Sequence, residues 1–200
     1  MNITKRYTFM CNAIRLEKSK APIKSKRWVK WVAVPSPGIC TYCLLNHGHI
    51  FDKDDNTIVF PKVHQNCNCS LEELLAFYAG TVTNQGTESA DMYLALHHEL
   101  PSYYLTKSQA RALGWIRLLG NLSDILPGRM IGGDVYHNWE GKLPSAPDRI
   151  WYEADFDYTA GFRNGCRILY SNDGLMFFTK DHYSSFSEII WEGYDDEIFN

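Results

Sequence analysis

The chain has 200 residues, 45% of them apolar and 14% aromatic, and a formal net charge of −3, enough for one or two packed domains. It holds no run of about 18 apolar residues that would span a bilayer, and its first twenty residues lack the apolar centre and cleavage site of a secretory signal peptide. Residues 1–86 carry 11 Lys+Arg against 6 Asp+Glu, and residues 87–200 carry 9 against 17, so the second half can hold a polyanion only through a local basic cluster, not through its overall field.

Residues 1–30 are rich in Lys and Arg, with Glu17 as the single acid. Such a run is ordinarily a solvated helix end and linker; the alternative is an electrostatic arm for nucleic acid or an acidic protein surface. WVKWVAV (28–34) combines aromatic and β-branched side chains in partial alternation. That predicts a short strand, ended by Pro35–Gly38. Cys40-x2-Cys43 and His64-x2-Cys67-x-Cys69 follow. Two thiolates on one tight turn can face one ion, and the second cluster can complete a tetrahedral zinc site. Five donors compete for four places, and the expected set is Cys40, Cys43, His64 and one of Cys67 or Cys69. With every position filled by protein the site is structural, and it would stabilise a segment with little core of its own. A disulfide set or free thiols is the alternative.

SLEELLAFYA (70–79) opens on a serine with Glu73 at capping-box distance, and is expected to be a helix. TVTNQGTESA (81–90) is small, polar and aperiodic, as a linker is. It divides the chain into a basic arm with a Cys/His-rich module (1–80) and a second domain (91–200). SADMYLALHHE (89–99) predicts an amphipathic helix with His98 in its last turn, at the negative end of the helix dipole. Another helix starts at Thr106, with Gln109 closing the capping box, and stops at Gly114; a short one covers 121–126. The period then changes to two. Strands are expected at 129–135, 149–155, 166–170, 175–179 and 187–191, with turns at Gly132-Gly133, Asn138, Gly141, Asn164-Gly165 and Asn172-Asp173-Gly174. Helices followed by an antiparallel meander make the fold class α+β.

WYEADFDYTAGFRNGCRILYSNDGLMFFTKDHY (151–183) carries one carboxylate among aromatics (Glu153), two arginines four apart (Arg163, Arg167) and a histidine beside a tyrosine (His182, Tyr183). A base, an acid and fixed positive charge are what moving a phosphate ester requires. Taken singly, Glu153 could be a strand-surface carboxylate, His182 a turn histidine and Lys107 a surface lysine. Arg163 and Arg167 could pair with Asp155 and Asp173 and still offer phosphate contacts. Trp151 and Phe162 fit a core better than a stacking role, and Cys166 fits an inert core thiol.

Two resemblances follow from the motifs. Trp31-Val32-Ala33, Cys40-Thr41-Tyr42-Cys43, Gly48 and His64-Gln65-Asn66-Cys67-Asn68-Cys69 resemble the C-terminal region of Mu F-type phage head-morphogenesis proteins, with Asn68 where that pattern has Arg. This implies a particle- or carrier-bound origin and allows a natural start upstream of Met1. LP-x3-LTKSQARALGW (100–115), GNLSDILPG (120–128), IGGD (131–134), NWEGKLP (138–144), RIWYEAD (149–155), YTAGFRN (158–164), RILYS (167–171) and KDHY (180–183) resemble the barnase-like, guanyl-specific microbial ribonucleases. That resemblance covers roughly residues 88–190.

The second resemblance implies helices packed on a twisted antiparallel sheet. It also implies cleavage of single-stranded RNA by transesterification to a 2′,3′-cyclic phosphate, with no cofactor for catalysis. Under it Glu153 is the general base, His182 the general acid, Arg163 and Arg167 the phosphate-binding pair, and Lys107 a stabiliser of the transition state. Tyr136, His137, Asn138, Trp139 and Glu140 make the guanine loop, and Phe162 and Tyr183 are further substrate contacts. Asp155 pairs internally with the arginines, and Asp134 also matches. Trp139 stands where the family has Arg, which weakens the expected grip of a barstar-like inhibitor and of long RNA. The expected partner is RNA, with no membrane. The expected role is the effector or toxin end of a phage-like or polymorphic carrier, secreted or delivered with it. The alternatives are a catalytically silent capsid-associated protein and a zinc module that binds nucleic acid through residues 1–86. The tail WEGYDDEIFN (191–200) is expected to lay its acids near the arginines and damp activity.

Overall fold

A computed structural model describes residues 21–34, 41–58, 67–83 and 89–191. Most of the basic arm, Cys40, His64 and the acidic tail lie outside these residues. Among the described residues, nine strands form one mixed sheet, in the order β2-β1-β3-β9-β8-β7-β6-β5-β4. They are β1 (Ile23–Val32), β2 (Ile50–Asp52), β3 (Ser70–Tyr78), β4 (Tyr104–Leu105), β5 (Met130–Tyr136), β6 (Trp151–Asp155), β7 (Arg167–Ser171), β8 (Met176–Thr179) and β9 (Ser187–Ile190). The helices are α1 (Thr41–Leu45), α2 (Ala90–His97), α3 (Lys107–Ala112) and α4 (Leu122–Ile125), with a 3-10 turn at Arg117–Leu119. This is an α+β arrangement: β5 to β9 run as the expected antiparallel meander, while β3–β9 and β4–β5 pair in parallel.

The local signals for α3 act as read. Thr106 accepts from the Gln109 amide, and the Gln109 side chain answers to the Thr106 N–H at 2.8 Å, which satisfies two donors that a helix start leaves open. His98 falls one residue beyond α2, in the left-handed conformation (φ 58°), with its N–H on the Leu94 carbonyl. It closes the helix instead of riding its last turn.

Residues 70–79 are not a helix. Ser70–Tyr78 is strand β3, held by β1 on one side and β9 on the other. Glu73 pairs with Lys24, and Glu72 with Lys30 at 3.2 Å, while Leu74 and Ala76 are buried. A serine cap and leucine spacing are local preferences of a few tenths of a kcal/mol per residue, and ladders on both edges with a buried face override them. The β3–β9 pairing, from Ala76↔Glu188 to Tyr78↔Ile190, carries the sheet from the N-terminal strands into the meander. The stretch after β3 is tied down as well. Asp91, wholly buried in α2, accepts the N–H groups of Gly80 (2.8 Å) and Val82 (2.9 Å) and the Thr83 hydroxyl (2.5 Å).

Gly132 and Gly133 do not make a turn either; they lie inside β5, where the register slips between Gly132 and Asp134. A side chain on Gly132 would meet Tyr104 Cδ1 at 2.6 Å and Ala154 Cβ at 2.8 Å, and Gly133 sits at φ 90°. The glycines permit a bulge, and the bulge re-aims Asp134 toward the start of α3.

The two faces of the sheet differ. Ala154, Ile168, Met176, Phe178 and Ile189 face the helices and form the larger core with Leu94, Ala110, Trp115 and Leu122. On the opposite face Trp151, Leu169 and Phe177 pack with Leu143 and Phe186, and Trp28, Ile50 and Leu74 of the N-terminal strands join them. The same alternation that sends Trp151 to this face sends Glu153 and Asp155 there, further along β6.

Candidate active site

Strand register assembles the charged part of that face. Asp155 stands directly across from Arg167, and Arg167 across from Thr179. Asp155 is fully buried and faces two guanidinium groups. Arg163 grips it with two parallel bonds of 2.6 Å, and Arg167 Nε lies 3.0 Å from Oδ1, the oxygen that Arg163 Nη2 also holds. Arg167 also donates to the carbonyls of Asn164 (2.8 Å) and Cys166 (2.7 Å). One carboxylate thus fixes both arginines, and the cluster retains a net positive charge. Arg149, not Arg163 or Arg167, takes Asp173, in a 2.7 Å bond.

Glu153 is 7% exposed. One carboxylate oxygen receives the Lys107 ammonium and the other the Tyr183 hydroxyl. Burial pushes its carboxyl up, but the bonds from Lys107 and Tyr183, with the charges of Lys107 and Arg163, together bring it below the ordinary glutamate value. The group therefore stays ionised around neutrality. The Tyr183 hydroxyl, pushed up first by burial and then by Glu153, stays protonated and donates. Lys107 reaches this point because the first turn of α3 is anchored: its backbone N–H donates to Asp134 at 2.9 Å.

His182 is exposed, with its ring 4.9 Å from that of Tyr183. Both residues hold positive φ, 55° and 69°, a conformation that costs about 1–3 kcal/mol in side-chain-bearing residues and is kept where surroundings enforce it. The enforcement is visible. Thr179 Oγ1 accepts the Tyr183 N–H (3.1 Å) and donates to Asp181 (2.7 Å), Asp181 accepts from Ser185 (2.9 and 2.6 Å), and His182 N–H meets the Gly165 carbonyl (3.1 Å).

The loop from Tyr136 to Glu140 lies beside this turn. The Tyr136 ring stacks on Tyr183 at 5.2 Å, and His137 stacks on Trp139 at 5.0 Å. Trp139 is 88% exposed. The Asn138 side chain closes the loop by bonding both the carbonyl (2.8 Å) and the N–H (3.1 Å) of Leu143. Glu140 pairs with Lys142 at 2.6 Å, and Lys142 also reaches the Tyr183 carbonyl at 3.2 Å. Its bond and charge hold the Glu140 carboxyl below the usual range.

The structure therefore groups Lys107, Glu153, Arg163, Arg167 and Tyr183, with His182 and the 136–140 loop at their edge. Phe162 is 69% exposed and not a core residue; Asn164 ties the chain back to Phe156 (3.0 Å) and Asp157 (2.8 Å), leaving Phe162 at the loop tip. Trp151 is core, as expected. None of Glu153, Arg163, Arg167 or His182 lines the cavity of about 890 Å³ that Tyr104, Tyr152, Tyr170 and Trp191 help to form. Sequence reasoning missed the supports: Lys142, Thr179 and Asp181. The last two carried a signal, since Thr-x-Asp followed by Ser-Ser is a side-chain-to-backbone turn signature.

In the small core around Trp31, Cys43, Cys67 and Cys69 converge, their sulfurs all within 4.8 Å of one another. Cys43 Sγ and Cys67 Sγ are 3.7 Å apart, well beyond the roughly 2.05 Å of a disulfide. Two thiolates about 2.3 Å from one tetrahedral ion stand about 3.8 Å apart, so the donor set fits a metal. Cys40 and His64, the other expected ligands, lie outside the described residues. Cys166 is a free thiol, which burial pushes up.

A family model described as ribonuclease matches residues 87–190. A protein named Ribonuclease from Heyndrickxia coagulans is 54% identical over 97 residues, which is 48% of this chain and 89% of the relative. Proteins of the same name from Bacillus intermedius and Bacillus pumilus are also 54% identical over 97 residues, and there the match spans 60% of the relative. The matched stretch holds every residue of the Glu153 group, and by both comparisons this chain belongs to the ribonuclease family: it is an endoribonuclease.

Proposed function

We propose that the enzyme cleaves single-stranded RNA on the 3′ side of guanosine, by transesterification to a 2′,3′-cyclic phosphate. Glu153 removes the proton of the 2′-hydroxyl, whose oxygen attacks the adjacent phosphorus. The bond from phosphorus to the 5′-oxygen breaks, and His182 gives that oxygen a proton. Arg163, Arg167 and Lys107 hold the phosphate, whose oxygens gain charge in the transition state, where fixed cations count most. RNA supplies its own nucleophile, so this chemistry needs no metal. The observation that carries the reading is the buried, ionised Glu153 held by Lys107 and the Arg163 charge, one tyrosine ring away from His182.

The guanine preference rests on the 136–140 loop. Glu140, kept ionised by Lys142, can accept from guanine N1–H and N2–H2; adenine lacks that donor pair. A buried polar site rejects the wrong base by about 10⁴–10⁵-fold. The Glu140 side chain is 70% exposed, so Glu140→Ala should lower the ratio of GpN to ApN cleavage by a smaller factor, roughly 10–10²-fold. Steady-state kinetics on the two dinucleotides test this, and an unchanged ratio would remove Glu140 from base recognition.

We propose in addition that Cys43, Cys67 and Cys69 hold a structural zinc ion with a fourth ligand from Cys40 or His64. The spacing of the sulfurs supports it. Cobalt substitution should give the intense thiolate-to-metal absorption of a tetrahedral site, lost in Cys67→Ser; a chain that takes up no cobalt would exclude the site.

A further inference from the structure

The N-terminal strands reach the base-recognition loop. The Ile50 N–H donates to the Lys142 carbonyl at 2.8 Å. The His49 ring lies against Gly141, where an added Cβ would sit 3.2 Å from its Cε1, and it is close enough to the Glu140 backbone to feel its polarity. Gly141 has φ 65°, and a Cβ added to Gly48 would lie 3.9 Å from Lys142 Cε. His49 is itself placed from behind: its carbonyl accepts the Trp31 N–H at 3.0 Å, and the Gly48 N–H donates to the Trp31 carbonyl at 2.8 Å. Trp31 is fully buried in the small core that contains Cys43 and Cys69. On the N-terminal side of these contacts, Trp31, Gly48, His49 and Ile50 all lie outside the matched stretch 87–190.

Building on the reading of this loop as the base-recognition site, we propose that His49 and Ile50 are positioning residues for guanine. Together they fix the Glu140–Lys142 backbone from outside the ribonuclease core. At its tip, where Trp139 and Glu140 are exposed, the other ties run within the loop or through Lys142. Holding a recognition loop in its bound shape lowers the ordering cost of binding. Loss of the clamp therefore acts on KM for guanine-containing substrates more than on kcat, and acts little on substrates the loop does not read.

The test uses the full chain. His49→Ala should lower the GpN:ApN ratio of kcat/KM roughly five- to tenfold, as expected for the loss of one polar packing contact of about 1 kcal/mol, mainly through KM for GpN, and His49→Gln should recover part of it by restoring a polar side chain against Gly141. A general loss of structure would lower GpN and ApN turnover together, and that result overturns the proposal. An unchanged ratio in His49→Ala, with a collapsed ratio in Glu140→Ala, overturns the clamp while sparing the loop; an unchanged ratio in both variants removes the loop and the clamp with it. A second measurement uses Gly141→Ala, whose new methyl would meet the His49 ring. Its effect on the ratio should be smaller in the His49→Ala background than alone, and strict additivity would show that the two residues do not couple.

Discussion

Glu153→Gln is expected to lower kcat/KM for a GpN dinucleotide by about 10²–10⁴-fold, and His182→Ala by a similar factor, the range for losing a positioned general base or acid. Glutamine keeps the volume of Glu153 and can still accept from Lys107 or Tyr183, so the fold should survive and the loss should be chemical. Both oxygens of Glu153 are engaged by Lys107 and Tyr183, yet each has a second lone pair for an incoming hydroxyl. The pH dependence follows in sign. The base must be ionised, and Glu153 is held below its ordinary value, so the acid limb of kcat/KM should lie below the usual glutamate value of about 4.3. Lys107→Ala removes the foremost lowering influence and should move that limb upward while reducing the rate. Linkage has the same sign: a carboxyl depressed by folding contributes stability above its unfolded value and loses it as pH falls through the folded one. A variant Glu153→Gln with wild-type turnover would end the assignment.

Asp155→Ala should cost about 3–5 kcal/mol of folding stability, on the order of 10 °C in Tm for a chain of this size. The magnitude comes from what remains. Arg167 is 3% exposed and its guanidinium cannot release its proton to escape the loss of its partner. Arg163 would lose two bonds of 2.6 Å. The pair would then be two like charges on one face, with Arg167 cut off from water. Activity should fall also at temperatures where the variant is folded, because the arginines would no longer be fixed for phosphate. Thermal or denaturant unfolding measures the first effect; a loss below about 1 kcal/mol, within the range of an exposed ion pair, would show that Asp155 does not neutralise the cluster.

The parts of the fold legible in the sequence are those whose signals are local. The capping box at Thr106 and Gln109 and the Asn172–Gly174 turn act through neighbours a few residues away, and all are present. The 70–78 segment shows the converse. Its leucines satisfy a helical pattern, but the partners that make it a strand, β1 and β9, lie far off in sequence, and nothing local announces them. Gly132-Gly133 has the composition of a turn, yet its function is close approach to Tyr104 and Ala154, a contact between distant elements. In the site, residue types and spacing point to Glu153, Arg163, Arg167 and His182 because chemistry restricts which groups can do the work. The residues that support the site, Thr179, Asp181 and Lys142, are ordinary polar types whose roles exist only in three dimensions. His49 lies furthest from any local signal, since its contact with Gly141 spans two segments that the matched stretch does not join.

A single assay bears most directly on the mechanism. The full chain, in the presence of a strong chelator, is mixed with a single-stranded oligonucleotide containing one guanosine, and the new 3′ end is identified over time. The account predicts cleavage after that guanosine, with a 2′,3′-cyclic phosphate as the first product, and its disappearance in both Glu153→Gln and His182→Ala. Cleavage that depends on added divalent metal, or that leaves a 5′-phosphate, would contradict it.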